Sequence, residues 1–420
     1  MTTPVMNKWE ALGFMMVLAF LNYLDRNLLL PLQETIQIEL TLSDTQLGAL
    51  STGFHVVYAF SAPLIGYVSD RVPRRTILLV SVIAWSIITS ATGVSIEFTS
   101  LLIVRSLTGL GEGGYFPTAI SLIGDFFAPH HRGRAIALHG TCTVLGGAAG
   151  LALGGWLGDR LGWRAPFLMA VVPGLCLAAI MTIRFREPPR GAHAEPFGDH
   201  DNSAPRRSYL RVVLSTPILL ISLAAGMAAF AMAGFTQYLP KYMTEVMKFS
   251  QTQTGVWTAL GFAVPILSVL PGGIASDYLA TRLRGARPLL VALPYAVVAP
   301  VFFALPSVPD GAAIAVLYGL AMFGRGFAEP NIYGTVIESV PARERGAAQG
   351  FLLMLTFGGA SGAGLVGGAI LDAIAGPKAS RTAAMTHEAY RVLFFVLGVA
   401  SIAAAAIATA LFVVRRRSRT

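Results

Sequence analysis

Six ionisable residues stand in stretches that are otherwise apolar. Asp25 and Arg26 lie in "LNYLDRNLLL", Arg105 and Glu112 in "LIVRSLTGLGEGGYFP", and Arg325 and Glu329 in "FGRGFAEPNIYG". A charge at mid-membrane costs at least about 2.5–3.5 kcal/mol, so such a residue faces a cavity or a partner and marks function. Arg105 and Glu112 are seven residues apart, nearly two helical turns, which sets both on one helix face about 10 Å apart. That is too far for direct contact and close enough to flank one cavity. Arg325 and Glu329 are four apart, a spacing that permits a pair on one face. The chemistry open to these groups is ionic. A guanidinium binds a carboxylate or phosphate, and a carboxylate in a dry pocket gains or loses a proton as a cation leaves or approaches. Proton coupling is therefore expected, with Glu112 as the first carrier, Asp25 as the second, and the two titrating as a set. Arg105 is the expected anion or proton-release partner. Arg26, one position beyond Asp25, points about 100° away and is open to a different pair. The bland readings are a static ion cluster in the first group and a self-satisfied Arg325–Glu329 pair in the second.

The elements that must hold these residues follow from composition. The chain has 420 residues, 54% of them hydrophobic and 13% charged, against about 25% charged in a soluble domain. Apolar runs long enough to cross a hydrocarbon core of about 30 Å recur throughout. Twelve are expected, at 11–31, 47–68, 76–96, 99–126, 135–158, 165–184, 212–239, 253–275, 288–305, 311–337, 346–371 and 391–413. The net charge of +9 does not point to nucleic acid, because its distribution is sided. With both ends cytoplasmic, 21 of the 31 Lys and Arg residues fall in inner segments, seven in outer segments and three inside helices. This is the positive-inside bias, and a missed span would scramble it. The first apolar run is too long for a cleavable signal and is expected to be retained.

Other side chains carry weaker signals. Tyr23, Tyr58, Tyr115, Gln237, Tyr238, Trp257, Asn331 and Tyr333 are expected cavity-lining groups, each with membrane-interface or helix packing as the alternative, while His55 and His139, in the second and fifth spans, read as hydrogen-bonded packing residues with a proton relay as the alternative. Cys142 and Cys176 fall in expected spans and make neither a disulfide framework nor a metal site. The glycine-dense segments 140–158 and 357–368 lack the GK[ST] that a phosphate loop requires. Gly146, Gly150 and Gly154 instead form a ridge of small residues for close helix packing. No cofactor, metal or nucleotide is expected, and no nucleophile stands with a base at useful spacing, so enzyme chemistry is not indicated.

The chain repeats itself. A polar linker, 185–210, separates two sets of six spans, 1–184 and 211–420. "GYVSDRVPRR" (66–75) is echoed by "GGIASDYLATRLRGAR" (272–287), so Asp70 matches Asp277 at an offset of 207. Gly133 matches Gly346, and Pro117 matches Pro330, at an offset of 213, which also sets Arg325 against Glu112. An even number of spans per half makes this a parallel repeat. Twelve spans, a basic central linker and the "GYVSDRVPRR" loop resemble the major facilitator superfamily. "NYLDR" (22–26), "RSLTGLGEGGYFP" and "FREPPRG" (185–191) resemble its spinster-like and organic anion:cation symporter branches.

That resemblance implies an all-α integral membrane fold of twelve transmembrane helices in two six-helix halves. It also implies secondary transport by alternating access. It brings Asp25 near Arg105 and Glu112 at a central cavity; the expected substrate-binding set is Arg105, Arg26, Tyr23, Tyr115, His139, Gln237, Tyr238, Arg325, Glu329 and Asn331. It assigns gating to Gly66, Asp70, Arg71, Arg74, Arg75 and Asp277. The expected activity is proton-coupled symport of a small organic anion. The alternative is movement of a lysolipid or sphingoid-type amphiphile. A monomer in a bacterial inner membrane, with bilayer, protons and substrate as partners, completes the expectation.

Overall fold

In hydrocarbon every backbone N–H and C=O must be satisfied within the chain, and a helix does this locally. The computed structural model describes residues 6–69, 71–188, 208–283, 285–341, 344–376 and 380–417. At 62–64, 66, 67, 69, 129, 130, 132, 133, 277, 280, 281, 346 and 417 it describes the backbone only. In chain order the helices are α1 (Lys8–Asn27), α2 (Gln33–Glu39), α3 (Asp44–Ser69), α4 (Arg74–Thr92), α5 (Phe98–Gly113), α6 (Tyr115–Phe126), α7 (Pro129–Leu161) and α8 (Arg164–Arg184). They continue as α9 (Tyr209–Val213), α10 (Thr216–Glu245), α11 (Gln251–Ala263), α12 (Pro265–Arg282), α13 (Arg287–Ala304), α14 (Gly311–Ser339), α15 (Arg345–Ala375) and α16 (Ala383–Arg417). Each of the twelve expected spans coincides with one of these helices or with a consecutive pair.

Two spans expected to be continuous are broken. The span 99–126 is α5 followed by α6, with the break at Gly114. Pro117 has no N–H to offer the Gly113 carbonyl, and its ring crowds that oxygen. The span 253–275 breaks ahead of Pro265 in the same way, and Val264 N–H turns back to Gly261 O at 3.2 Å. Pro330, the repeat counterpart of Pro117, lies within an uninterrupted α14. Among the described residues nine helical segments are long and apolar enough to cross a membrane. α1 carries Lys8, Glu10, Asp25 and Arg26, and α5 and α6 are short individually.

The chain divides into two compact units. The first comprises Met1–Leu40, Gly53–Ser203 and Ser250–Ala259; the second comprises Thr41–Thr52, Ala204–Phe249 and Leu260–Thr420. α3 and α11 therefore each begin in one unit and end in the other.

In the first unit the ridge of small residues on α7 meets α1. A Cβ at Gly146, Gly150 or Gly154 would collide with the backbone of Phe20, Leu24 or Leu28 respectively. Both triplets have four-residue spacing, so one turn of α7 seats on one turn of α1 and fixes the rotation of Asp25 and Arg26. A buried apolar cluster that includes Leu18, Trp85, Tyr115 and Phe127 packs around α1, α4 and α6. In the second unit, Phe235 of α10 meets Phe302, Tyr318 and Phe394 edge-on, with ring centroids 4.9, 5.1 and 6.1 Å away.

Candidate functional site

α1 and α5 bring four charges together in the first unit. Arg26 donates to Glu112 Oε2 twice, from Nε at 2.9 Å and from Nη2 at 2.5 Å. It also reaches Asn22 Oδ1 at 3.4 Å, one turn back on α1. The different pair left open for Arg26 is thus the Glu112 pair. Asp25 and Arg105 lie within electrostatic reach of Glu112. Asp25, Arg105 and Glu112 are 2%, 5% and 1% exposed, so none of the three is solvated as a surface charge would be.

Aromatic rings wall the Arg26 guanidinium. Its Cζ lies 4.6, 4.9 and 5.3 Å from the ring centroids of Tyr23, Phe54 and Tyr58. Arg105 Cζ shares the Phe54 ring at 5.9 Å. Such contacts strengthen when desolvated. The two α3 rings reach the site because Gly109 of α5 lets the α3 backbone in, at Phe54 O and Tyr58 N.

The cluster is incompletely satisfied. Among the described residues, Arg105 Nε and Nη1, Asp25 Oδ1 and Glu112 Oε1 are buried without a hydrogen-bond partner. Buried polar groups are nearly always bonded, so each of these exceptions calls for an explanation. The arrangement can hold an anion on Arg105, and it can trade the Arg26–Glu112 bond for a proton.

The remaining expected site residues lie on other helices, and each is described within its own unit. Tyr115 Oη donates to Met15 O at 2.8 Å and lies 2.6 Å from His139 Nε2, both side chains being buried. In the second unit Tyr238 donates to Gly364 O at 2.5 Å, and Gln237 is buried beside it on α10. Asn331 is buried and ties α14 to α12 through Gly272 O at 3.3 Å. Arg325 and Glu329 are exposed and share electrostatic reach of Tyr295.

Of the expected gating residues, Asp70 lies outside the described residues, and Gly66 and Asp277 are described by backbone alone. Arg71 is exposed. Arg74 is buried and bridges three partners: Asp125 Oδ2 at 2.6 Å, Glu187 Oε1 at 2.8 Å and Ser121 Oγ at 2.9 Å. Glu187 also accepts from the Arg75 N–H at 3.2 Å, capping the first turn of α4. Sequence reasoning missed Asn22, Phe54, Asp125 and Glu187. Asn22 was discoverable as the residue four before Arg26; the others meet their partners only through the fold.

The family model of the Major Facilitator Superfamily matches residues 15–364, and the chain belongs to that family. It is an integral, multi-pass membrane transporter. It is 27% identical over 373 residues to a hexuronate transporter of Bacillus subtilis, covering 87% of each chain. It is 26% identical over 298 residues to a sphingosine-1-phosphate transporter of Danio rerio, covering 65% of this chain and 57% of that protein. In fold it resembles the inward-facing, unoccupied crystal structure of a bacterial homolog of the human lysosomal transporter spinster. The TM-score is 0.82 at 23% identity, over 99% of this chain and 98% of the other.

Proposed function

We propose that the chain is a proton-coupled secondary transporter that symports a small organic anion by alternating access. The observation that carries this reading is Arg105, a buried guanidinium with unpartnered Nε and Nη1, next to two carboxylates and the Arg26–Glu112 bond. A substrate carboxylate binding Arg105 brings a negative charge into the cluster. A proton on Glu112, or on Asp25 as the second carrier, offsets it and frees Arg26. Tyr23 positions the Arg26 plane. Tyr115, His139, Gln237, Tyr238, Arg325, Glu329 and Asn331 complete the proposed binding set, and Gly66, Asp70, Arg71, Arg74, Arg75 and Asp277 the proposed gate. The hexuronate-transporting relative supports a sugar-acid-sized anion. The proposed setting is the inner membrane, with both termini cytoplasmic and the protein a monomer.

A second reading, transport of an anionic lysolipid, has the sphingosine-1-phosphate relative behind it; a phosphate headgroup suits Arg105 as a carboxylate does. Purified protein in vesicles, given an inward proton gradient and either glucuronate or a lysophospholipid, separates the two. Gradient-driven glucuronate uptake is the expected result. Uptake indifferent to the gradient overturns proton coupling, and lysolipid movement without glucuronate uptake replaces the first reading by the second.

A further inference from the structure

α4 changes character at Trp85. Before it, the buried face of the helix carries Ile77, Leu78 and Val82 beside Ser81, and Leu78, Val82 and Trp85 belong to the apolar cluster of the first unit. After it, the buried residues of the helix are Ser86, Thr89 and Thr92 and no other, each 0% exposed. The opposite face is apolar throughout: Val80 and Ile87 are 60% and 52% exposed. Aliphatic side chains would fill the buried half at lower cost than three hydroxyls.

A hydroxyl on a helix has a standard outlet, the carbonyl one turn back. Thr108, Thr141 and Thr182 of the same unit use it, at 3.0, 3.0 and 2.8 Å. Ser86, Thr89 and Thr92 do not. Among the described residues their oxygens are buried without a hydrogen-bond partner, and they make up three of the six side-chain hydroxyls in that condition.

The three are aligned with the ion cluster. Thr89 and Thr92 stand about 40° and 20° around the helix from Trp85, and about 6 and 10 Å further along it. The Trp85 indole N–H lies beside the Asp25 carboxylate without closing a hydrogen bond, and Asp25 faces Glu112 and Arg105 of α5. Beyond Thr92 come Gly93 and Ser95, both buried. There Arg164 Nη2 donates to Ser95 O at 3.3 Å, and Nη1 pairs with the exposed Glu39. The hydroxyls therefore stand between a buried carboxylate and a solvated end of the unit.

We propose that this half of α4 is the proton entry of the transporter: Thr89 and Thr92, with Ser86 beside them, hold a file of water that links Asp25 to the Ser95 end of the helix. This rests on the proton-coupled reading, in whose topology that end is the outer one. Buried water serves polar groups of this kind, making about three bonds per molecule. About 10 Å is covered in about four O–H···O steps. Each hydroxyl accepts a proton from one side as it passes its own to the other, so no charge rests on it. Asp25, whose Oδ1 has no bond, takes the proton and hands it to Glu112, which releases Arg26. Leu78, Val82 and Trp85 close the line beyond Asp25. The proton thus reaches the cluster from α4, while the anion binds on α5 at Arg105.

Two measurements on full-length protein in vesicles test this. In the first, Cys142→Ser and Cys176→Ser remove the native thiols, and Thr89→Cys, Thr92→Cys or Val82→Cys supplies one. Each is exposed to Ag⁺, an ion that follows water to a thiol, in chloride-free buffer, and the thiols left free are counted with a maleimide after denaturation. Val82 is the dry reference, 0% exposed on the same helix. Thr89→Cys and Thr92→Cys are expected to be blocked about tenfold or more faster than Val82→Cys. Equal rates at the three positions overturn the water line. In the second, Thr89→Val with Thr92→Val keeps the shape and removes both hydroxyls. Gradient-driven uptake of glucuronate, or of the lysophospholipid if that is what the wild type carries, is expected to fall about tenfold. Exchange without a gradient continues at the wild-type rate, and Thr89→Ser with Thr92→Ser keeps uptake at the wild-type level. Undiminished uptake in the Val pair overturns the proton route, and so does an equal fall in exchange, which marks a packing defect. Wild-type uptake indifferent to the gradient removes the proton-coupled reading, and the proton role of the line with it, whatever the Ag⁺ rates are.

Discussion

Each unit buries a cluster of opposed charges, and the clusters are finished to different degrees. Around Asp44 the cations Lys241 and Arg381 each lie against carboxylates, Asp372 closes a helix end, and Tyr390 serves Glu245. Around Glu112 one pair is made, Arg26 with Glu112, while Arg105 Nε and Nη1 and Asp25 Oδ1 are buried without a bond among the described residues. A completed buried network rigidifies, and an incomplete one carries a standing cost. Apolar packing would often stabilise better than either. The difference is the one the proposed function draws on: the Asp44 cluster is read as holding the fold and the Glu112 cluster as the proposed binding and coupling site.

The sharpest break in that comparison is Glu112→Gln, which keeps the shape and removes the titratable carboxylate. Gradient-driven uptake in vesicles is expected to vanish while substrate exchange continues; wild-type uptake by this variant removes Glu112 as the essential coupling site. Next is Lys241→Ala, which breaks the buried Lys241–Asp44 pair and leaves Arg381 as the cation on that carboxylate. Breaking a buried pair costs about 3–5 kcal/mol, read as a large fall in the thermal midpoint. Arg105→Ala should do the reverse. Binding of an anionic substrate, measured by calorimetry, weakens about 10–100-fold for the loss of a charge-assisted contact. The thermal midpoint holds or rises, because a buried guanidinium whose Nε and Nη1 lack hydrogen bonds has gone; a fall as deep as that of Lys241→Ala would make the two clusters equivalent.

The smallest effect belongs to a surface carboxylate. Glu39 accepts from Arg164 and from Trp163 Nε1 at 2.6 Å, and these bonds hold its carboxyl below the ordinary value. With a folded pKa depressed below the unfolded one, its contribution is present above the ordinary carboxylate range and is lost as pH falls through the folded value. Glu39→Gln should therefore narrow the stability difference between neutral and strongly acidic solution slightly, in melts run across that range.

Much of the Glu112 cluster was legible in the sequence because charge in an apolar run is conspicuous. Asp25, Arg105 and Glu112 announce themselves that way, and the glycine spacing of α7 announced a close partner. That the partner is α1, and that Arg26 turns to Glu112 rather than elsewhere, depends on the rotation set by that packing. The Asp44 cluster was illegible for the opposite reason: Asp44, Lys241 and Arg381 lie at or beyond the ends of expected spans, where charged residues are ordinary. Phe54 reads as one more lipid-compatible ring until Gly109 admits it to the site. The breaks at Gly114 and before Pro265 were written in the prolines, yet Pro330 leaves α14 whole, so a proline alone does not decide the outcome.

The exchange of helix ends between the units has a consequence for how the sequence is constrained. Residues Thr41–Thr52 complete the unit that holds most of the later chain, and Ser250–Ala259 complete the unit that holds most of the earlier chain. Each half of the sequence thus supplies one short segment to the unit built mostly from the other half. A larger side chain at Gly368 is answerable to residue 44, and one at Gly155 to residue 251. Positions 44 and 368, and positions 251 and 155, therefore constrain one another from opposite ends of the sequence, even though Asp44 and Gln251 differ in kind.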